Sequence, residues 1–291
     1  MTTIAVLVSF NPDPEQLRRN IEALKVQVDE IVVVDNSPIE FDVFPINHYI
    51  WLPENAGVGR AQNLGVQRAI QLGADQILFS DQDSHFYPYA VRTLSEALQS
   101  GSEVAAVGPV YRELNSNQLS SFFLLRGLLV KRTPGLSLQK GQTIQTDFLI
   151  SSGMLVKVSA FQQVGMMRED YFIDYVDTEW CIRATALGFR LLGVGGEMMS
   201  HRLGEGFTRV WLWRWRKVAS HSPFRYFYMF RNCTHLVIHH NMSIGWRWYL
   251  VRRSLVQLIY LVLLDRRMAS IRDAIWGVYA GISRSTKAEI S

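Results

Sequence analysis

The sequence predicts an α/β fold, with a mainly parallel central sheet flanked by helices on both faces and a helical C-terminal appendage. Three observations predict it. Over the first 80 residues, short apolar runs alternate with segments of helical periodicity, the pattern of strands joined by crossover helices. Two of those runs end in Asp35 and Asp81, which right-handed crossovers bring to one carboxyl edge, where open α/β sheets bind ligands. The composition also changes near residue 200. Residues 1–199 hold 15 Lys+Arg against 22 Asp+Glu, a net of −7; residues 200–291 hold 15 against 4, a net of +11, with six of the eight tryptophans. The expected division is therefore an acidic α/β body at 1–205 and a basic, Trp-rich helical region at 206–291.

Each element has a local cause. Ile4–Phe10 is an apolar run and reads as a buried first strand. Asp13 as N-cap, Pro14 at the first helical position and Gln16 three beyond the cap start a helix. Leu17, Ile21 and Leu24 continue it at helical spacing. Glu30–Val34 is the second strand, stopped by the turn signal Asp35-Asn36-Ser37-Pro38. His48–Leu52 is the third. After the loop Asn55–Gly59, residues Val58, Ala61, Gly65, Ala69 and Leu72 mark a helix that ends at Gly73. Gln76–Ser80 is a further strand and runs straight into Asp81-Gln82-Asp83. Val104–Val110 and Thr143–Ile150 read as strands, and 116–140 has no assignable pattern. Phe172–Val176 reads as extended, and Asp177–Leu187 as a helix closed by Gly188.

Several classes are excluded. With 48% hydrophobic and 19% charged residues, the chain is a packed globular protein rather than a disordered one. Cys181 and Cys233 are the only cysteines and form neither a zinc spacing nor a redox pair, which fits a reducing, cytoplasmic setting. The N-terminus lacks the basic and cleavage features of a secretory signal. The longest late uncharged run, Ser254–Leu264, has 11 residues, against roughly 20 for a spanning helix.

Asp81 and Asp83, one residue apart at a strand end, can face one centre, and hard oxygen ligands suit Mg²⁺ or Mn²⁺. A solvated turn is the plainer reading of the same triplet. Asp35 either accepts hydrogen bonds from a base or ribose or caps the turn that follows it. The small residues around Asn55–Gly65 suit a ligand at a helix N-terminus or close helix–sheet packing; they match neither a P-loop nor a dinucleotide fingerprint. Asp174, Asp177 and Glu179 form an acidic cluster in which Asp177 sits where an N-cap belongs, and one carboxylate there can act as general base.

Together, Val34-Asp35-Asn36-Ser37, Asn55-x-Gly57 with Ala61-x-Asn63-x-Gly65, Asp81-Gln82-Asp83-Ser84 and Ile173-Asp174-Tyr175-Val176-Asp177-x-Glu179-Trp180-Cys181-x-Arg183 resemble family 2 glycosyltransferases of the GT-A fold. Within that family the resemblance is greatest to bacterial rhamnosyltransferases of O-antigen and related surface polysaccharides, and it spans about residues 4–240. It implies that Asp35 contacts the nucleotide base, helped by backbone near Ser9. Asp81 and Asp83 then hold Mg²⁺ or Mn²⁺ and the donor's ribose and diphosphate, with His201 as a further metal ligand and Asp177 as general base. Asn63 is placed among the nucleotide-sugar contacts. Arg183 either contacts the diphosphate or pairs with Glu179, and Arg231 faces the diphosphate.

The implied donor is dTDP-L-rhamnose and the implied acceptor a hydroxyl of a glycan or glycolipid, reached by one inverting displacement. Two features depart from the family pattern: Arg60 beside Gly59, and the glycine-rich run Gly193–Gly196 before His201. The basic tail, with Trp and cations mixed over Phe207–Lys217 and an apolar stripe at Val251, Leu255, Leu258 and Val262, suits the inner face of the cell membrane or packing on the body or a second subunit. No nucleic-acid motif is present. The alternatives are a galactofuranosyl- or other hexosyltransferase on the same scaffold, and a non-enzymatic membrane- or nucleic-acid-binding module.

Overall fold

A computed structural model describes the backbone of residues 1–40, 46–202, 206–211 and 215–283, and the side chains of 1–40, 46–202 and 221–283. The chain forms two compact units. The first comprises Met1–Leu124, Arg132–Glu169 and Val176–Arg202; the second comprises Leu125–Lys131, Asp170–Tyr175 and Leu203–Ser291.

The first unit opens with β1 (Thr3–Ser9), α1 (Pro14–Lys25), β2 (Glu30–Asp35), β3 (His48–Trp51), α2 (Val58–Gln71) and β4 (Gln76–Asp81), each within about a residue of its sequence signal. Asp13 caps α1, its carboxylate accepting from the Gln16 N–H at 2.9 Å. There follow β5 (His85–Phe86), α3 (Ala90–Leu98), β6 (Val104–Glu113), β7 (Gln118–Leu119), β8 (Ser121–Arg126), β9 (Leu129–Pro134), β10 (Thr143–Thr146), β11 (Leu155–Lys157), α4 (Val158–Val164), α5 (Val176–Ala186) and β12 (Arg190–His201). The stretch 116–140 thus holds strands that carry no period, because most of β9 is solvent-exposed. The strand expected at Thr143–Ile150 stops at Thr146.

The main sheet runs β10-β12-β6-β11-β4-β1-β2-β3. Its β4-β1-β2-β3 half is parallel throughout. β11 lies antiparallel between β4 and β6, and β12 runs parallel to β6. Side chains alternate across this sheet. Ala5, Leu7, Val33 and Leu78 join the cluster that contains Leu17 and Leu24 of α1 and Leu94 of α3, each fully buried leucine contributing roughly 1.5–3 kcal/mol. On the opposite face Val6 and Val34 meet α2 at Gly65, where a Cβ would collide with the Val6 side chain; that glycine sets the close helix–sheet approach. Phe79 meets Phe161 of α4, and Phe161 meets Trp180 of α5, with ring centroids 6.1 and 5.6 Å apart. Helices therefore cover both faces.

In the second unit, the region expected to be helical begins with a β-hairpin, β13 (Gly206–Trp211) and β14 (Trp215–Ser220). The tryptophan and cation side chains of Phe207–Lys217 lie outside the described residues. α6 (Pro223–His239), α7 (Ile244–Tyr260), a π-helical turn (Leu261–Asp265) and α8 (Met268–Ile282) complete it. The segment read as extended at Phe172–Val176 is instead strongly turned: Phe172, Asp174 and Tyr175 have φ of +60°, +62° and +64°, conformations that cost of order 1–3 kcal/mol each. Asn232 holds them, its side-chain N–H₂ donating to the carbonyls of Tyr171, Ile173 and Asp174 at 2.9 Å. Arg225 pairs with the Asp174 carboxylate at 2.9 and 3.0 Å. No helix among the described residues is long and apolar enough to cross a membrane.

Candidate active site

The carboxyl ends of β1, β2 and β4 stand side by side, with Ser9 opposite Asp35 and Val8 opposite Asp81. One strand separates the two aspartates, so their backbones lie about 10 Å apart. Asp81 closes β4 and begins a tight turn in which the Ser84 N–H donates to the Asp81 carbonyl at 3.1 Å. Buried Asn20 of α1 donates to the same carbonyl at 2.8 Å. The chain then enters β5, which pairs with the end of β12, His85 opposite Ser200. That pairing delivers His201 to the turn.

His201 Nδ1 lies 3.2 Å from the Asp83 carboxylate, and its Nε2 lies 3.9 Å from that of Asp81. The ligand atoms of Asp81, Asp83 and His201 all lie within 4.8 Å of one another. Burial lowers the His201 pKa, but the Asp83 hydrogen bond and the charges of Asp81, Asp83 and Glu113 outweigh it, and the net displacement is upward. The glycine-rich run does not divert this strand. Gly193 passes under the Phe122 ring and Gly195 under the Gln139 carbonyl, where Cβ atoms would collide, and a register shift between Val194 and Glu197 absorbs the difference.

Ser84 connects this cluster to Asp177. Its Oγ lies 2.5 Å from Ser152 Oγ and 3.2 Å from His201 Nδ1, and the neighbouring Ser151 N–H donates to Asp177 Oδ2 at 3.1 Å. Asp177 Oδ1 accepts from the Thr178 N–H at 2.7 Å. The aspartate lies inside the first turn of α5 rather than before it, which corrects the N-cap expectation; an acid is favoured in that turn by the helix dipole. Tyr111 packs edge-on to His201, centroids 6.1 Å apart, and burial together with the charges of Asp177 and Glu113 raises its phenol pKa to about 12. Asp81, Asp83, His201 and Asp177 thus share one neighbourhood.

The other expected residues are more deeply engaged. Asp35 is fully buried. It accepts from Ser9 Oγ (3.1 Å), Ser37 Oγ (2.5 Å) and Tyr49 Oη (2.8 Å), the turn-capping arrangement. The adjacent Asn36 exchanges hydrogen bonds with the Asn55 side chain and the Ala56 N–H, so the two loop motifs are knitted together. Asn63 binds the main chain of Met167 in both directions and donates to Glu169 at 2.9 Å. Of the two readings of Arg183, pairing with Glu179 is the one found, at 2.7 and 2.8 Å; the rest of its guanidinium donates to the carbonyls of Val164 and Met166. Arg231 is buried in the second unit, donating to Asn232 Oδ1 and the Asp170 carbonyl with its charge over the Tyr228 ring. Arg60 is exposed on the first turn of α2.

Tyr111, Ser151 and Ser152 carried no signal in the sequence, being ordinary residues that only the sheet order brings to the site. The donor set fits a divalent cation: two partly exposed carboxylates and one imidazole suit Mg²⁺ or Mn²⁺. Both thiols are buried and unpaired by disulfide.

Residues 4–165 match the family model described as glycosyl transferase family 2. The chain belongs to that family. It is 31% identical over 236 residues to the dTDP-rhamnosyl transferase RfbF of Shigella flexneri, covering 78% of this chain and 77% of the relative. Solved structures share the fold. S. aureus TarS 1-349 in complex with UDP-GlcNAc superposes with a TM-score of 0.60 at 12% identity, over 98% of this chain and 88% of that one. GalNAc-T7 with UDP, GalNAc and Mn²⁺ gives 0.56 at 14%, over 69% of this chain and 44% of that one. This family 2 transferase therefore has the GT-A fold, and the reading of it as a non-enzymatic module falls away.

Proposed function

We propose that this transferase moves L-rhamnose from dTDP-L-rhamnose to a hydroxyl of a glycan or glycolipid acceptor, inverting the anomeric centre, with Mg²⁺ or Mn²⁺ bound by Asp81, Asp83 and His201. The observation that carries this is the meeting of those three ligand atoms within 4.8 Å beside Asp177. The Shigella relative supports the choice of donor. The cation, when bound, neutralises charge developing on the departing diphosphate.

Asp177 takes the acceptor hydroxyl's proton as that oxygen attacks the anomeric carbon. Hydrogen bonds from the Ser151 and Thr178 N–H groups and from Thr178 Oγ1 fix its rotamer. Such a base typically contributes 10²–10⁴-fold. Asp35 serves the nucleotide side by orienting Ser9 and Ser37; a direct base contact requires one of its hydroxyl partners to give way. Asn63 and Arg183 act one layer back, fixing the 164–169 loop and α5.

The test is thermal stabilisation and turnover across a panel of nucleotide sugars, with and without Mn²⁺. dTDP-L-rhamnose should stabilise most, and only with metal. Preference for a galactofuranose or other hexose donor would overturn the sugar assignment, and indifference to every nucleotide would overturn the mechanism.

A further inference from the structure

Among the described residues, the second unit carries an apolar surface that stays exposed to solvent. α7 buries Trp246 and Leu250 on one side. On the other, Ile244, Trp248, Val251, Leu255, Ile259 and, just beyond its end, Val262 recur at intervals of three or four and fall on one stripe. These six are 37–66% exposed. A stripe of that length normally faces a core, so this one requires a different partner.

The tip of the β8–β9 hairpin extends the surface. Leu128 and Leu129, 58% and 76% exposed, sit at the turn, and Leu128 shares an apolar recess with Ile244, Arg247, Trp248 and Val251. The tip approaches α7 closely, the Gly127 carbonyl lying where a Cβ on Gly245 would stand. Leu125–Lys131 and α7 together contain five cations (Arg126, Lys131, Arg247, Arg252 and Arg253) and no acid. Arg126, Lys131 and Arg252 are solvent-exposed.

We infer that this face, the Leu128–Leu129 tip with the exposed stripe of α7, seats the enzyme on an anionic lipid surface. Apolar side chains enter the headgroup boundary while flanking cations meet lipid phosphates, as in helices that lie in the interface. A second copy of the chain fits less well. A two-fold interface sets a patch against itself, which would juxtapose these cations with no acid to offset them. The helix also carries three arginines, consistent with lying on a bilayer rather than crossing one. The inference rests on the proposed function only in supplying a reason for the surface, a lipid-linked acceptor; binding itself is measured without donor.

The full-length protein would be sedimented with vesicles of phosphatidylcholine alone and of phosphatidylcholine with phosphatidylglycerol. It should bind the anionic vesicles, more weakly in high salt. Leu128→Ser with Leu129→Ser should lower that binding at least tenfold. Arg126→Gln with Lys131→Gln should lower it about fivefold per cation. All four residues are exposed, so melting temperature and metal-dependent dTDP stabilisation should stay at wild-type values, which separates failure here from failure of the donor assignment. Leu255→Ser, at mid-stripe, is an independent variant. Absence of binding to anionic vesicles, equal binding by all variants, or a dimer in sedimentation velocity that Leu128→Ser with Leu129→Ser splits would overturn the inference.

Discussion

Arg183→Met separates two roles for one residue. In the structure its guanidinium makes two hydrogen bonds to Glu179 and one each to the carbonyls of Val164 and Met166. Glu179 is 1% exposed. Removing the cation takes the Arg183 charge and two hydrogen bonds from a buried carboxylate, a loss of about 3–5 kcal/mol, and frees two carbonyls in addition. For a chain of this length that corresponds to a fall in melting temperature of roughly 6–20 °C. Replacing both partners, Glu179→Leu with Arg183→Met, should recover much of it, because the buried charge is then gone. Differential scanning fluorimetry gives the stability, and calorimetric titration with dTDP and Mn²⁺ gives the affinity of the folded fraction. The expected result is a large loss of stability with donor-nucleotide affinity unchanged at low temperature. A variant of wild-type stability that binds dTDP weakly would refute the reasoning and assign Arg183 to the diphosphate.

Asp177→Asn should lower kcat by 10²–10⁴-fold with little change in dTDP affinity; single-turnover and titration experiments separate the two. Gly65→Ala should destabilise by about 1–3 kcal/mol through overpacking against Val6, measured by urea unfolding, while leaving the metal site intact. His201 has a raised pKa in the metal-free protein. The stabilisation from its protonated form is therefore present below the ordinary histidine range and lost as pH rises through the raised value. Protons and metal compete for the ring, so Mn²⁺ affinity should strengthen as pH rises across that window. Calorimetry at several pH values checks this, and a flat profile would count against His201 as a ligand.

The parallel half of the fold was legible because its signals are local. Apolar strands buried on both faces, the Asp13–Pro14 helix start and Gly73 at a helix end each act within a few residues. The acidic ends of β2 and β4 followed from strand order alone. What escaped depends on partners distant in sequence. β9 is exposed and shows no alternation, and β11 is three residues long. The Phe172–Tyr175 turn is held in left-handed geometry by Asn232, almost 60 residues later. The pairing of β5 with β12 that carries His201 to Asp83 has no sequence signature, yet it completes the candidate cation cluster. Arg183 and Asn63 show the converse: their motifs were visible, but the hydrogen bonds that define them were not.

Whether the acidic turn after β4 holds a cation for the nucleotide is tested most directly by titrating dTDP into wild type and Asp83→Asn, each with Mn²⁺ and with chelator. The predicted result is binding by wild type that needs Mn²⁺ and weakens at least tenfold in Asp83→Asn, an effect of about 1.4 kcal/mol or more. Equal dTDP affinity in all four titrations would contradict it.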